Sequence, residues 1–218
     1  MAIEINGNLR KHMVKVPEGA WEAKGIRLFS RKIRVIVFST DIAIIRNTNA
    51  EAILAVYPFT PQPIITQAIV ASSDMPVFAG VGGGITSGAR SVSLAANAEQ
   101  QGVIGVVFNA PIKNDVICSV AKVIDIPIVV TVVSQKDDID GRIDAGVSIL
   151  NVSAADQTPR VVEKIRQKHP NISIMATGGP TEESVRRTIE AGADAITWTP
   201  PVPSALLRVF MERYRHET

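Results

Sequence analysis

The chain has 218 residues, of which 46% are hydrophobic and 20% are charged, and its formal net charge is +2. This length suffices for one hydrophobic core, and so small a charge excess argues against a nucleic-acid-binding surface. A single cysteine, Cys118, excludes an internal disulfide framework, and no apolar run approaches the roughly 20 residues that span a bilayer, so we expect a cytoplasmic protein without a membrane partner.

Eight short apolar runs, beginning at residue 33, alternate with segments that have the amphipathic spacing of helices. Most runs carry β-branched residues at consecutive positions, which is typical of parallel strands buried on both faces. The runs span 33–40, 52–59, 76–83, 103–110, 127–134, 147–154, 172–179 and 195–201. The alternation predicts a single (β/α)8 TIM barrel over residues 33–218, with a doubly wound open sheet as the alternative. Residues 1–32 are predicted to form an N-terminal extension that packs on the barrel.

Glycines recur ahead of the fourth, sixth and eighth predicted strands. Gly102, Gly146 and Gly192 are 44 and 46 residues apart, and each follows the end of a predicted helix. A glycine in the left-handed conformation is a common way to end a helix. The spacing favours a barrel built from quarter-barrel repeats, and independent use of glycine as a helix cap is the alternative explanation.

Polar residues follow the carboxyl ends of the predicted strands, where TIM barrels build their sites. Asp41 follows the first strand, and Asp137 and Asp138 follow the fifth. Carboxylates at this rim can act as general acids and bases, so these three are the candidate catalytic residues. The candidate substrate-binding residues are Asn109, Thr131, Asn151, Ser153, Thr177 and Thr199.

Two glycine-rich turns, after the third and seventh predicted strands, are candidate phosphate sites. The first, "GVGGGITSG", contains Gly83 and Gly84, and the second, "MATGGPTEES", contains Gly178, Gly179 and Thr181. Glycine lets a ligand approach the backbone, and the free N–H groups at a helix start attract anions. The third and seventh strands lie opposite each other in an eight-stranded ring, so the two turns would bind two anionic groups across the barrel mouth. Glycines that serve only to turn the chain are the alternative.

The stretches "FAGVGGGITS" and "IMATGGPTEESVRRTIEAGADAI" resemble the loops of the ribulose-phosphate-binding barrels, which include isomerases of histidine and tryptophan biosynthesis. The whole chain also resembles small uncharacterised bacterial TIM barrels that are sometimes labelled hydrolases. The first resemblance implies phosphate sites after strands seven and eight, with a second site after strand three. It also implies acids at the ends of strands one and five.

This chain departs from that group at two strand ends. Asp41 matches the acid of the first strand, but the fifth strand ends in Thr131-Val-Val-Ser, with Asp137 and Asp138 displaced into the loop. The eighth strand is followed by "TWTPPVPS", in which Pro200 and Pro201 lack N–H donors for a phosphate. No predicted strand contains a lysine, which argues against the Schiff-base chemistry of the aldolases in the group.

These features predict an enzyme that performs isomerase- or lyase-type proton transfer on a small phosphorylated metabolite. The scarcity of acid–base groups leaves two alternatives open, a non-catalytic phosphometabolite sensor or retired barrel, and a metal-dependent hydrolase. No cofactor is expected, and the three histidines lie off the expected site face, so the one metal considered is Mg²⁺ bound by carboxylates such as Asp137, Asp138 and Asp156. A second copy of the chain is a further candidate partner, because "SALLRVFMERY" carries apolar residues that would face either the core or a dimer interface.

Overall fold

The computed structural model describes residues 13–216. Two short antiparallel strands, β1 (Ile26–Leu28) and β2 (Arg31–Ile33), come before eight strands that pair in parallel. The parallel strands are β3 (Val35–Phe38), β4 (Ala52–Ala55), β5 (Val77–Gly82), β6 (Gly105–Phe108), β7 (Ile128–Val132), β8 (Ile149–Val152), β9 (Ser173–Thr177) and β10 (Ala195–Trp198). Strands β3 to β10 pair in chain order, and β10 pairs with β3 to close the ring. The predicted TIM barrel is therefore confirmed, and the open sheet is excluded.

One helix follows each barrel strand. The helices are α1 (Ile42–Arg46), α2 (Pro63–Ser72), α3 (Ala89–Gln100), α4 (Asn114–Val120), α5 (Ile139–Asp144), α6 (Thr158–Lys168), α7 (Glu182–Glu190) and α8 (Pro203–His216). The three repeat glycines all have a positive φ, +89° at Gly102, +110° at Gly146 and +109° at Gly192. They follow α3, α5 and α7, so each ends its helix in the conformation that favours glycine.

Consecutive residues of a barrel strand point alternately into the barrel and outwards to the helices. On β8, for example, Ile149 belongs to the apolar cluster inside the barrel, whereas Leu150 belongs to the cluster between the strands and the helices. The inner cluster also contains Ile36, Phe78, Val129, Met175 and Ala195. This packing fills the lower part of the barrel, so a ligand can enter only above it, at the carboxyl ends of the strands.

The segment before the barrel covers two of its surfaces. Ile26 and Ile33 of the β1–β2 hairpin pack into the inner cluster. The hairpin therefore closes the amino end of the barrel, and the expected boundary after residue 32 falls within β2. A short 3₁₀ helix, Glu18–Glu22, is bound to the start of α7, because the Glu182 carboxylate accepts hydrogen bonds from the N–H groups of Glu18 at 3.0 Å and Gly19 at 2.9 Å.

The last helix, α8, lies against the barrel loosely. None of its side chains that the structure describes is buried, and Leu207 and Met211 are 63% and 42% exposed. Leu206 is half-buried and packs against the outer core. The apolar residues of this helix are therefore largely outside the core. Over residues 13–216, no helix combines the length and the apolar character that a membrane span requires.

An ion pair joins β3 to β4 at the amino end of the barrel. The Glu51 carboxylate accepts hydrogen bonds from Arg34 Nη2 at 2.6 Å and from the Arg34 backbone N–H at 2.6 Å. Burial alone would raise the pKa of Glu51, but the hydrogen bonds and the charge of Arg34 outweigh it and lower that pKa. The ionised form of Glu51 is therefore favoured by folding.

Replacing Glu51 with glutamine is expected to lower the free energy of unfolding at pH 7 by about 1–2 kcal/mol, because the bonds to a charged partner are lost. A carboxyl whose pKa is lowered by folding stabilises the protein above its unfolded pKa of about 4.3 and loses that contribution as the pH falls through the folded value. Urea unfolding between pH 3 and pH 7 should therefore show a weaker pH dependence in Glu51→Gln. The control Glu163→Gln, at an exposed position on α6, should match the wild type at every pH.

Candidate functional site

A cavity of about 250 Å³ opens at the carboxyl ends of the barrel strands. We call it the mouth cavity, and all but one of the barrel strands, or the residues directly after them, contribute to its wall. It is lined by Phe38, Leu54, Val56, Val107, Asn109, Thr131, Asn151, Ser153, Thr177, Thr197 and Thr199. All six predicted substrate-binding residues are therefore brought together in one place.

One side of the mouth cavity is formed by hydroxyl and amide side chains from β7 to β10. Strand register places Thr131 beside Asn151 and Thr177 beside Thr197. Each of these four residues lies two positions after an inward-facing apolar residue of the same strand, so each also faces inwards. We call Thr131, Asn151, Thr177 and Thr197 the polar arc. It lies directly above the part of the barrel that apolar side chains fill.

Two of these side chains lie at the floor of the cavity. Thr197 is 4% exposed and Asn151 is 6% exposed, whereas Asn109, Ser153 and Thr199 are exposed at the rim. Asn151 Nδ2 donates a hydrogen bond to Thr131 Oγ1 at 3.3 Å. The other two floor atoms, Asn151 Oδ1 and Thr197 Oγ1, are buried without a hydrogen-bond partner within residues 13–216. Leaving a buried polar atom unpaired costs about 1–3 kcal/mol, so such atoms call for a partner from outside the chain.

The opposite side of the mouth cavity is apolar. Phe38, Leu54, Val56 and Val107 come from β3, β4 and β6 or follow them directly. Within residues 13–216, no acidic or basic side chain lines this cavity. The cavity therefore suits a ligand that has hydrogen-bonding groups on one side and an apolar surface on the other, and it offers no counter-charge to a buried ion.

The predicted set of substrate-binding residues does not include Thr197, although this residue lies at the end of the eighth predicted strand, and it does not include the apolar wall. Thr197 follows Ala195 by two positions on β10, and Ala195 belongs to the inner cluster. The alternation in "AITWT" was therefore a usable signal, because it places Ala195, Thr197 and Thr199 on one face. For the apolar wall, no such signal exists, because core and cavity-lining apolar residues look alike in a sequence.

The three predicted catalytic acids are not among the residues that line the mouth cavity, and each accepts a hydrogen bond from a backbone N–H close to it in the chain. Asp41 is the N-cap of α1 and accepts a hydrogen bond from Ile44 N at 3.0 Å. Asp137 Oδ2 accepts from the N–H groups of Val133 at 2.8 Å and Ser134 at 3.2 Å. These contacts give the acids structural roles, and a catalytic role for them stays a prediction.

Asp138 belongs to a network that holds the loop after β6. It caps α5 by accepting from Gly141 N at 3.0 Å, and its other oxygen accepts from Asn114 Nδ2 at 3.1 Å. Arg142 donates to the carbonyl of Ala110 at 2.7 Å and to Asn114 Oδ1 at 2.9 Å. Burial lowers the pKa of Arg142, while the charges of Asp137 and Asp138 oppose that shift. The network thus fixes the loop that carries Asn109 at the cavity rim.

The predicted phosphate turn before α7 is largely occupied by its own side chains. Thr181 and Ser184 form a capping box, in which the N–H of each is bonded to the hydroxyl of the other at 3.1 Å. The Gly178 N–H donates to the Thr197 carbonyl at 3.3 Å. Glu182 and Glu183 stand in the first turn of α7. Two acids and a filled cap make this helix start a poor match for phosphate.

Packing and backbone conformation each account for a glycine in the turn before α7. A Cβ on Gly178 would lie 2.8 Å from Val185 and 2.9 Å from Ile196, and Gly179 has a φ of +82°. These contacts explain the two glycines without a ligand. They match the alternative in which glycine serves only to turn the chain, and phosphate binding at Gly178, Gly179 and Thr181 stays a prediction.

The turn after β5 is more open. The Gly83 N–H donates to the Thr86 carbonyl at 2.9 Å, whereas a Cβ on Gly84 would meet nothing within 4 Å. The turn leads to Gly88, the N-cap of α3, where no side chain caps the helix and no acid stands in the first turn. Arg90 lies in that first turn. Of the two predicted phosphate turns, this one has the more favourable charge for an anion.

Among the residues that the structure describes, no three His, Cys, Asp or Glu side chains are grouped as metal ligands would be. Asp137 and Asp138 belong instead to a groove between α5 and α6, together with Asp140, Lys168 and His169. The hydrogen bond from Lys168 lowers the pKa of Asp140. In this groove Asp140 therefore contacts the side chains of Lys168 and His169, whereas Asp137 and Asp138 accept hydrogen bonds from backbone N–H groups and from Asn114.

No family model matches the chain, and neither does any curated protein. Among solved structures, phosphonopyruvate hydrolase is similar with a TM-score of 0.63 and 10% identity, over 91% of this chain and 82% of that one. A 2,3-dimethylmalate lyase of the PEP mutase/isocitrate lyase superfamily has a TM-score of 0.61 and 12% identity, over 91% and 84%. KGPDC from Streptococcus mutans has a TM-score of 0.59 and 15% identity, over 76% and 85%. At such identities the similarity shows the TIM-barrel fold, and it does not single out the ribulose-phosphate-binding group.

Proposed function

We propose that this chain binds a small metabolite in the mouth cavity and holds it by hydrogen bonds, without acid–base catalysis by the cavity side chains. The observation that carries the proposal is the pair of buried oxygens at the cavity floor, Asn151 Oδ1 and Thr197 Oγ1, which have no hydrogen-bond partner in the described part of the chain. A ligand that donates an N–H or O–H to Asn151 Oδ1 and forms a second hydrogen bond with the Thr197 hydroxyl would remove the cost of leaving these atoms unsatisfied. This function corresponds to a sensor or a catalytically retired barrel.

The lining of the cavity supports binding over proton transfer. General acid–base catalysis needs a group whose pKa lies near the working pH, within about 3 Å of the proton that it moves. Threonine, serine and asparagine are the polar residues of this cavity, and none of them titrates in that range. The same neutral lining argues for an uncharged group at the cavity floor, because a buried ion would find no counter-charge there.

The second candidate is an isomerase or lyase that acts on a small phosphorylated metabolite. It is favoured by the uncapped start of α3, with Arg90 in its first turn and no acid nearby in that turn. In this arrangement the phosphate would lie at the rim and the reacting carbons would lie over Asp41. One of the similar structures is named for phosphonopyruvate, a small acid whose phosphonate group resembles a phosphate in charge and shape.

A thermal-shift screen with neutral and phosphorylated metabolites tests both candidates. A ligand present at 100 times its Kd should stabilise the fold by about 2.7 kcal/mol, which corresponds to a rise in Tm of roughly 5–10 °C for a domain of this size. Each hit is then incubated with the wild type and with Asp41→Asn. The proposal predicts that a compound with an uncharged hydrogen-bonding group stabilises the protein and that neither the wild type nor Asp41→Asn converts it. Consumption by the wild type and not by Asp41→Asn would establish the enzyme instead, and an absence of any hit would refute the binding function.

A further inference from the structure

A second, smaller pocket of about 80 Å³ adjoins the mouth cavity. We call it the side pocket, and it lies between the loops that follow β4 and β5. It is lined by Val56, Tyr57, Pro58, Phe59, Pro61, Gly80, Gly82, Gly84, Ile85, Thr86 and Asn109. Val56 and Asn109 belong to both linings, so the two spaces are adjacent.

The absence of a side chain at Gly80 lets Val56, which belongs to both linings, pack directly against β5. Gly80 pairs with Val107 on β6, where Val107 lines the mouth cavity. A Cβ on Gly80 would lie 3.2 Å from Val56 Cγ2, closer than most side chains tolerate. Gly80 therefore makes β5 the one barrel strand that places no side chain into the mouth-cavity lining, and the side pocket lies on that side.

Hydrogen bonds hold the side pocket in its open shape. The Gln62 N–H donates to Tyr57 Oη at 2.8 Å, which closes the loop after β4 on itself. Thr86 Oγ1 donates to Thr60 Oγ1 at 3.1 Å and joins that loop to the one after β5. Because both loops are bonded internally and to each other, the pocket exists before any ligand arrives, which limits the entropy cost of binding.

The chemistry of the side pocket is apolar and uncharged. Phe59 and Ile85 are 72% and 87% exposed, although both are large apolar side chains. Together with Tyr57, Pro58 and Pro61, they present aromatic and aliphatic surface beside the backbone of three glycines. Among the residues that the structure describes, no acidic or basic side chain lines the pocket. Such a surface suits a flat apolar group, which would bury the exposed rings without needing a charged partner.

We propose that the ligand of this protein has two parts, a neutral hydrogen-bonding head in the mouth cavity and a planar apolar group, such as an aromatic ring, in the side pocket. The inference rests on the proposed binding function, since the head is the part that pairs with Asn151 and Thr197. The inference narrows the ligand to one class of molecule, an uncharged compound that carries a hydroxyl or amide group and a ring.

A matched pair of probes tests the inference. 2-Hydroxypropanamide supplies the head alone, and 2-hydroxy-3-phenylpropanamide adds one phenyl ring to it. Titrations followed by NMR chemical-shift changes should show the phenyl compound binding the wild type about ten-fold tighter or better, because the ring buries its apolar surface. In a Phe59→Ser/Ile85→Ser double variant this ratio should fall to about two-fold. Both positions are highly exposed, so the double variant is expected to fold normally, which its thermal midpoint would verify.

Phe29→Ser is the matched control. Phe29 is also a highly exposed aromatic residue, at 64%, but it lies in the β1–β2 turn at the other end of the barrel, and its variant should keep the wild-type ratio. Equal affinity of the two probes for the wild type, or an unchanged ratio in the double variant, would overturn the two-part ligand while leaving the binding function intact. If neither probe binds the wild type, the two-part ligand is overturned as well. The thermal-shift screen with metabolites then decides separately whether the proposed binding function is correct.

Discussion

Replacing Gly83 with alanine is expected to destabilise the protein by about 3 kcal/mol, since strained backbone and overpacking each cost about 1–3 kcal/mol. Gly83 has a φ of +97°, which side chains rarely adopt, and an added Cβ would lie 2.4 Å from the Asn109 carbonyl oxygen and 2.5 Å from its nitrogen. Both contacts are to backbone, so relief requires movement of the loop after β6. Thermal unfolding should show a fall in Tm of roughly 6–12 °C.

Gly84→Ala is the control for this prediction, because it makes the same chemical change one residue away. Its Cβ would meet nothing within 4 Å, and its φ does not lie in the positive range. The free energy of unfolding should therefore change by no more than about 0.5 kcal/mol. A Gly83→Ala protein as stable as Gly84→Ala would show that the two loops do not approach as closely as the structure has them.

Replacing Asn151 with leucine is expected to weaken ligand binding by roughly ten- to hundred-fold while leaving the free protein equally stable or more stable. Asn151 is 6% exposed, its Oδ1 has no partner within the described chain, and its one hydrogen bond, to Thr131, is long at 3.3 Å. Leucine has a similar size and carries no polar atom to desolvate. Binding would suffer because the ligand loses the acceptor at the cavity floor.

A variant that binds the ligand more weakly but unfolds no more easily identifies a binding residue. If Asn151 had a purely structural role, its replacement would also lower the free energy of unfolding. Urea unfolding of the free protein and isothermal titration with the hit from the screen measure the two quantities. Ser91→Ala is the control, because Ser91 Oγ is equally buried and unpartnered but lies on α3, outside both pocket linings. That variant should gain or keep stability with no change in affinity. Unaltered binding in Asn151→Leu would remove Asn151 from the site.

The acids show why residue type and position along the chain were insufficient to predict catalytic residues. Asp41, Asp137 and Asp138 do follow β3 and β7, as the sequence indicated. Their carboxylates, however, accept hydrogen bonds from nearby N–H groups. Asp41 and Asp138 directly precede a helix and so have its free N–H groups within reach, while Asp137 bonds to N–H groups earlier in its loop. Nothing in a one-dimensional pattern shows whether an acid uses such groups or faces the ligand.

The polar arc, in contrast, was largely predictable from the sequence. Thr131, Asn151 and Thr177 were predictable because a strand alternates its faces, and a residue two positions beyond a buried apolar one faces the same way. Asn109 and Ser153 lie near the same rim because parallel strands of a barrel all end at one side. The mouth cavity was therefore predictable in its polar residues, and its apolar wall was not.

The order of strands and helices, the closed ring and the rim where a site must lie were determined by the sequence itself, because they follow from local periodicity and from the connection rules of parallel sheets. The tertiary structure alone decided the rest. It showed which polar atoms of the described residues are left without partners, which carboxylates are held by nearby N–H groups, and that β5 places no side chain into the lining of the mouth cavity. Each of these depends on distances between residues from different strands and loops, and such distances exist only once the ring has closed.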